Sequence, residues 1–259
     1  MRMTAFVLLL LGCSTGFAQA LSGLCMLSTA HGANQADKAQ LMLARVDCDE
    51  GSDGCSDTNN STTEWSRWTG VSAETLQREG ATLTARMSSD PGELTCNGNV
   101  HDGVLSGRYQ FTPSEAFVKQ MASMGFDGIT PRKQLGFLML DVTIAWVKEM
   151  KGLGVTELST GKLMGLRALH VTPEYVRAMS AAGYPELRSG KLTEMKAVGV
   201  TPEKVQEAKS LGFTPTEQEL VQMSIFHIDR PFVERMRARG LSDLTMEKLI
   251  KIKIFKIDE

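Results

Sequence analysis

The feature that most constrains the fold is a phrase that occurs twice in the second half of the chain. Val-Thr-Pro-Glu stands at 171–174 and again at 200–203, 29 residues later. Related phrases divide the second half into five units of 31, 29, 29, 28 and 29 residues, at 112–142, 143–171, 172–200, 201–228 and 229–257. A fixed period of this length is typical of stacked helical repeats.

The third unit shows the helix signals most clearly. Thr172 and Pro173 suit the N-cap and first position of a helix, and Gly183 suits a left-handed C-terminal cap. Ser189 is predicted to cap a second helix, which Gly199 ends. Each unit is therefore predicted to be an αα-hairpin of short helices that are unstable alone. Stacking would bury one continuous apolar core.

The first half of the chain has a period of two instead. Residues 39–46, 81–88, 92–100 and 102–111 are predicted strands, and the last three form a meander joined at Asp90–Gly92 and at His101–Gly103. The segment 47–65 is predicted to be a polar loop, and Trp65 and Trp68 are predicted to cover the small β core. The expected fold class is α+β: an antiparallel, disulfide-bearing β unit at 21–111, followed by an α-solenoid of five αα-hairpins at 112–259.

The N-terminus has the pattern of a signal peptide over residues 1–20. Arg2 precedes an apolar run at 5–11, and Ala18–Ala20 fits a small-x-small cleavage site. The alternative is a lipoprotein signal, in which Cys13 would carry a lipid anchor. Both interpretations predict an exported protein of the periplasm or cell envelope. After residue 20 no apolar run is long enough to span a membrane.

Export makes disulfides the expected state of the four remaining cysteines. We favour pairing Cys48 with Cys55 across a six-residue turn and Cys25 with Cys96. The other two pairings stay open. The spacing contains no C-x2-C pair, which disfavours a four-thiolate zinc site.

No catalytic or cofactor-binding motif is found, so we expect no catalytic residue and no cofactor. The four histidines form no H-x3-H or H-E-x-x-H pattern. The acidic loop gives one weak calcium candidate: Asp49, Asp53 and Asp57. Two mismatches, Gly51 and Asn60, disfavour a calcium-binding loop there. The formal net charge of −2 argues against a nucleic-acid partner.

The run "GELTCNGNVHDGVLSGRYQFTP" at 92–113, together with the repeats, resembles a group of uncharacterised bacterial exported proteins. Similar repeats follow the protease core of some antirepressor-type membrane metallopeptidases related to β-lactam sensors. The resemblance spans about residues 80 to 257 and includes neither the membrane helices nor the HExxH motif of those peptidases. It implies an accessory or sensing role, and no catalytic residue transfers from it.

The sequence therefore predicts a non-enzymatic scaffold for a protein or peptide partner, because solenoids present extended binding surfaces. The alternatives are an envelope sensor that binds calcium or a small molecule through the β unit or the acidic loop, and an unrecognised hydrolase. The positions where units differ are the candidates for function: Trp146, Tyr175 and Lys204 at one place, and His170, His227 and Lys256 at another. The apolar side of the last unit is a candidate surface for homo-oligomerisation.

Overall fold

A computed structural model describes residues 20–31, 38–45 and 58–256. Six antiparallel strands form one sheet in the order β3-β2-β1-β6-β5-β4. Their bounds are β1 Leu21–Thr29, β2 Lys38–Ala44, β3 Thr58–Glu64, β4 Thr82–Ser89, β5 Gly92–His101 and β6 Val104–Pro113. Two short 3₁₀ helices, Trp65–Arg67 and Thr75–Gln77, lie between β3 and β4.

The structure confirms the strands predicted near 39–46 and in the meander, and it adds two that the sequence analysis missed. Strand β1 has apolar residues on both faces, with Cys25 and Leu27 inside and Leu24 and Met26 outside, so it lacks a clear alternation. Strand β3 is almost wholly polar and buries only Thr63. The prediction of a polar loop is therefore wrong for 58–64, where pairing with β2 at the sheet edge replaces the missing apolar signal.

The disulfide between Cys25 and Cys96 is present and links β1 to β5 across the intervening strand β6. The two Cα atoms lie 6.1 Å apart, whereas two strand spacings in a flat sheet amount to roughly 9.5 Å. The sheet is therefore strongly curved about β6. Both cysteines are buried in the core of the β unit.

Two glycines lie opposite each other at this bend. Gly98 on β5 pairs with Gly107 on β6, and the register runs through them without a bulge. A Cβ atom on Gly107 would lie 1.9 Å from the carbonyl oxygen of Asn97. These glycines therefore permit close approach of the two backbones.

The tryptophans cover the β core as expected. Trp68 is buried, and its indole N–H donates a 2.8 Å hydrogen bond to the hydroxyl of Thr63. Trp65 packs against the same apolar cluster.

Ten helices of nine residues each follow the sheet, two in every predicted unit. They are α1 Glu115–Ser123, α2 Pro131–Met139, α3 Ile144–Gly152, α4 Thr160–Ala168, α5 Pro173–Ala181, α6 Ser189–Ala197, α7 Pro202–Ser210, α8 Glu217–Ile225, α9 Arg230–Ala238 and α10 Met246–Ile254. The odd-numbered helices are the first helices of their units and the even-numbered ones are the second helices. First helices contact first helices and second helices contact second helices, which gives a two-layered stack.

The helix starts follow the predicted signals, with one exception. The hydroxyl of Thr172 accepts from the backbone N–H of Tyr175, and Ser or Thr side chains cap most of the other helices in the same way. Ser189 is not a cap: Arg188 occupies the N-cap position without a side-chain bond. The buried hydroxyl of Ser189 instead donates to the carbonyl of Glu157 in the preceding unit, 2.8 Å away.

The helix ends explain the equivalent positions of His170 and His227. The first helices are followed by glycines with positive φ, as Gly183 was predicted to be. The second helices are followed by residues that also have positive φ: Asp141, His170, Gly199, His227 and Lys256. The two histidines are therefore exposed C-terminal caps in the left-handed conformation.

Helix α2 joins the β unit to the repeats. Its Leu135, Leu138 and Met139 belong to the apolar core of the sheet, while Phe137 belongs to the core of the helices. Arg67 from the β unit donates to the carbonyl oxygens of Leu138 and Met139 at the end of the helix. Burial among these groups lowers the pKa of Arg67 from its usual value.

The buried residues of the repeats form two clusters where one continuous core was expected. One cluster extends from Phe117 to Val221, and a second extends from Leu211 to Ile250. The partly buried Met223 packs against both, so the two clusters meet in unit four.

The last unit ends in helix α10, as its repeat register predicted. Leu241, Ile254 and Phe255 are exposed on this unit. Homo-oligomerisation through this surface stays a prediction. Within the described ranges, no helix is both long and apolar enough to cross a membrane.

The close approach of β5 and β6 predicts that Gly107→Ala destabilises the chain. Its methyl group would overlap the backbone of Asn97 and Gly98, and we expect a loss of about 1–3 kcal/mol in the free energy of unfolding. Urea denaturation followed by circular dichroism measures this loss. Gly152→Ala is the matched control, because a Cβ there meets open space at the end of α3. Equal stability of the two variants would contradict the predicted overlap.

Candidate functional site

Two positions are equivalent in every unit: the third residue of the first helix and the eighth residue of the second helix. In units two to five their side chains contact each other and form a layer between the helices, whereas in unit one Leu138 packs into the core of the β unit. The third residues are Phe117, Trp146, Tyr175, Lys204 and Phe232, and the eighth residues are Leu138, Arg167, Lys196, Ser224 and Lys253.

In units two, three and five this layer is an aromatic ring beneath a cation. Arg167 lies 5.3 Å from the ring centre of Trp146, Lys196 lies 4.6 Å from that of Tyr175, and Lys253 lies 4.2 Å from that of Phe232. All three rings are buried. Each pair has the geometry of a cation–π contact, which adds roughly 0.5–2 kcal/mol to the packing of the ring.

Tyr175 makes a further contact at the bottom of its layer. Its hydroxyl donates a 2.9 Å hydrogen bond to the carbonyl oxygen of Val200, which follows the second helix of the same unit. Burial raises the pKa of Tyr175 to about 12. The side chain of Tyr175 is thus held by two contacts: Lys196 lies over the face of the ring, and the hydroxyl bonds to the carbonyl oxygen of Val200.

Unit four has a cation but no ring in this layer. The third position of its first helix is the exposed Lys204, and the eighth position of its second helix is the buried Ser224. The ammonium group of Lys204 donates to the hydroxyl of Ser224 over 3.4 Å. The bond joins the two helices of unit four across the layer.

A cavity of about 200 Å³ occupies the place of the missing ring. We call it the unit-four cavity. Its walls combine apolar and polar side chains: Val200, Lys204, Glu207, Leu220, Met223, Ser224, His227, Ile228 and Asp229. Several of these wall residues have equivalents around Tyr175 in unit three. Ile228 corresponds to Val200, and Leu220 corresponds to Leu192.

The cavity lies where the two apolar clusters of the helices meet. Leu220 belongs to the cluster of the earlier units, Ile228 belongs to the cluster of the last unit, and Met223 lies between them. Replacing a ring with a lysine therefore explains both the cavity and the division of the core, because a buried aromatic side chain supplies a large apolar contact area.

The acidic and basic residues on the rim of the cavity have different roles. The carboxylate of Glu207 accepts from the backbone N–H of Arg230 at 3.1 Å, and that of Asp229 accepts from the N–H of Phe232 at 2.9 Å. Both acids therefore help to begin helix α9. Lys204 and His227 supply the basic groups of the rim, and both are exposed.

A larger cleft of about 670 Å³ lies between the sheet and helices α2 and α4. Its basic lining residues include Arg45, Arg132 and Lys133. Lys133 already donates to the carbonyl of Gly128 at 3.0 Å. Arg45 and Thr58 line the cleft, and residues 46–57 between them in the sequence lie outside the described ranges, so we base no site on it.

The residues at the variable positions of the repeats lie in different environments. Trp146 and Tyr175 are interior residues of their own units, whereas Lys204 lies on the rim of a cavity. His227 lies on the same rim, while His170 and Lys256 only end helices. The residues across the layer were not predicted, although their spacing follows the repeat: Arg167 for Trp146, Lys196 for Tyr175 and Ser224 for Lys204.

Most residues of the metal and cysteine predictions fall outside the described ranges. Cys13, Cys48, Cys55, Asp49, Asp53 and Asp57 lie outside the described residues, so the second disulfide, the lipid anchor and the calcium site stay predictions. Asn60, which occupies the last position of the calcium-loop pattern, lies in β3 and accepts a hydrogen bond from Gln40. In the ranges that are described, no group of three His, Cys, Asp or Glu side chains is placed to hold a metal ion.

The repeated layer predicts opposite effects for substitutions in units three and four. Lys204→Tyr places a ring in the cavity and should raise the free energy of unfolding by about 0.5–2 kcal/mol. Tyr175→Ala removes the equivalent ring and should lower it by about 3–5 kcal/mol. Chemical denaturation of both variants measures these changes. A destabilising Lys204→Tyr would show that the cavity does not have the shape of the layer in unit three.

The raised pKa of Tyr175 predicts a loss of stability at alkaline pH. The phenol ionises near pH 10 in the unfolded chain and near pH 12 in the folded chain, so rising pH favours unfolding within this window. The neutral phenol of Tyr175 contributes its full stabilisation below pH 10, and this contribution to the free energy of unfolding is at most about 2–3 kcal/mol. Denaturation of the wild type and of Tyr175→Phe across this range tests it. The same slope in both proteins would contradict the assignment to Tyr175.

The unit-four cavity is the place where the chain departs most clearly from its own repeated packing.

Comparison of the chain with protein-family models, with curated proteins and with solved structures finds no match. The resemblance to the exported repeat proteins therefore stays a prediction.

Proposed function

We propose that this chain is an exported, non-enzymatic repeat scaffold that binds a protein or peptide partner in the cell envelope. We further propose that a side chain of the partner enters the unit-four cavity. The observation that carries the proposal is the cavity itself, which replaces a ring found in units two, three and five.

The size of the cavity supports a side chain as its occupant. Sites for small molecules usually measure about 300–1,000 Å³, and the unit-four cavity is smaller, at about 200 Å³. It opens beside exposed polar residues, so a longer segment of a partner can continue along the surface of the stack. Such a combination of an anchoring pocket and a surface around it is typical of protein interfaces.

Export is supported by two features. The N-terminal pattern is that of a signal peptide, and Cys25 and Cys96 form a disulfide in the β unit, which is typical of oxidising compartments. The proposal includes two alternatives. A lipid on Cys13 would attach the protein to a membrane, and the apolar surface of the last unit would join two copies of the chain.

The alternatives stay predictions. A calcium sensor would use Asp49, Asp53 and Asp57, which lie outside the described residues. A small-molecule sensor would use an apolar cleft of about 430 Å³ on the β unit, beside Leu24, Met26 and Met42. The unrecognised hydrolase stays a prediction without a site.

Selection from a random peptide library displayed on phage tests the proposal. We expect enriched peptides to bind the wild-type chain and to lose at least tenfold in affinity when Lys204→Tyr fills the cavity. Lys119→Tyr is the matched control, because it makes the same chemical change at an exposed position of α1 and should leave binding unchanged. Fluorescence anisotropy of labelled peptides measures the affinities.

Two results would contradict the proposal. One is that no peptide is enriched. The other is that the enriched peptides bind the wild type and Lys204→Tyr equally well, which would remove the unit-four cavity from the interface.

A further inference from the structure

We infer that the unit-four cavity recognises an aromatic side chain of the partner, with tyrosine as the best fit. The inference deepens the proposed function and rests on it for the existence of a partner. The choice of an aromatic occupant rests on the other units of the same chain, which show what fills the equivalent space.

The first argument is the repeated position of the ring. Tyr175 and Lys204 both occupy the third position of a first helix, 29 residues apart, and both backbones begin from a Thr cap followed by Pro. The second helices and the residues after them are equivalent as well. The backbone N–H of Val200 donates to Met195, and that of Ile228 donates to Met223, each over 2.9 Å. The two layers therefore share the start of the first helix and the turn that follows the second helix.

The second argument is the cation. In unit three Lys196 lies above the ring from the second helix, whereas in unit four Lys204 reaches Ser224 from the first helix. A positive charge thus lies at the layer in both units. An aromatic ring is attracted to a cation through its negative face, while an aliphatic side chain is not.

The third argument concerns the hydroxyl group. The phenol of Tyr175 donates to the carbonyl of Val200, and the carbonyl of Ile228 is the equivalent group in the wall of the unit-four cavity. In unit two, by contrast, the buried indole N–H of Trp146 has no hydrogen-bond partner among the described residues. The layer therefore satisfies a phenol better than an indole, because a buried donor without a partner is unfavourable.

The volume agrees with this occupant. An apolar cavity of roughly 150 Å³ admits a benzene molecule, and the unit-four cavity of about 200 Å³ leaves room for the additional hydroxyl and methylene groups. Leu220, Met223 and Ile228 supply apolar walls for the ring.

Titration of the full mature chain with p-cresol, the side chain of tyrosine, tests the inference by nuclear magnetic resonance. We expect saturable shifts at backbone amides of α7 and α8 and at His227, with a Kd in the millimolar range. 4-Methylcyclohexanol, which keeps the hydroxyl but lacks the aromatic ring, should bind at least fivefold more weakly. Toluene, which lacks the hydroxyl, should bind with intermediate affinity.

Two variants connect the signal to the cavity. Lys204→Tyr fills the space and should abolish the saturable shifts. Lys204→Gln removes the charge and leaves the space open, and it should weaken p-cresol binding roughly three- to tenfold. The inference is overturned if p-cresol causes no saturable shift in the wild type, if Lys204→Tyr keeps it, or if 4-methylcyclohexanol binds as well as p-cresol.

The two proposals fail in different ways. If p-cresol binds as expected but the peptide selection yields nothing, the cavity accepts a phenol and the scaffold function is wrong. If selected peptides require the open cavity but need no aromatic residue, and p-cresol does not bind, the function stands and the aromatic occupant is wrong.

Discussion

The contact on which the repeats depend is the ring held between the two helices of a unit. A helix of nine residues is too short to persist alone in water, so each one needs tertiary contacts to remain folded. Buried rings at the third position of the first helix supply such contacts in units one, two, three and five. Lys204 removes them in unit four, and there the apolar core divides into two clusters.

A second set of contacts joins one unit to the next. Lys151, Lys209 and Arg237 occupy the eighth position of their first helices, and each donates to the carbonyl at the end of the first helix before it. Such bonds satisfy backbone acceptors that a helix end leaves free. They continue through unit four, since Lys209 joins unit four to unit three and Arg237 joins unit five to unit four. The cavity is therefore a local opening within an otherwise connected series of helices.

The sequence predicted the helical part well because the signals at helix starts and ends depend on local chemistry. Thr172, Pro173 and Gly183 have their predicted roles, since capping and left-handed φ values concern neighbouring residues only. Ser189 was misassigned because its hydroxyl bonds to Glu157 of another unit. Strands β1 and β3 were missed for a related reason: their pairing partners are distant in sequence, and their own patterns are weak.

The site was less predictable than the fold. Lys204 stood out as a departure from the aromatic residues of its position, but only the structure shows that Ser224 lies across from it and that a cavity results. The loss of the ring and the shift of the cation from the eighth to the third position involve two helices separated by a loop. A comparison of units that paired the third position with the eighth would have revealed it.

Native-state hydrogen exchange tests the central claim most directly, because it reports the free energy of opening for each helix. The account predicts that amides in α7 and α8 open at lower free energy than those in α5 and α6, where Tyr175 completes the layer. Equal or greater protection in α7 and α8 would contradict the claim that the ring determines the stability of each unit.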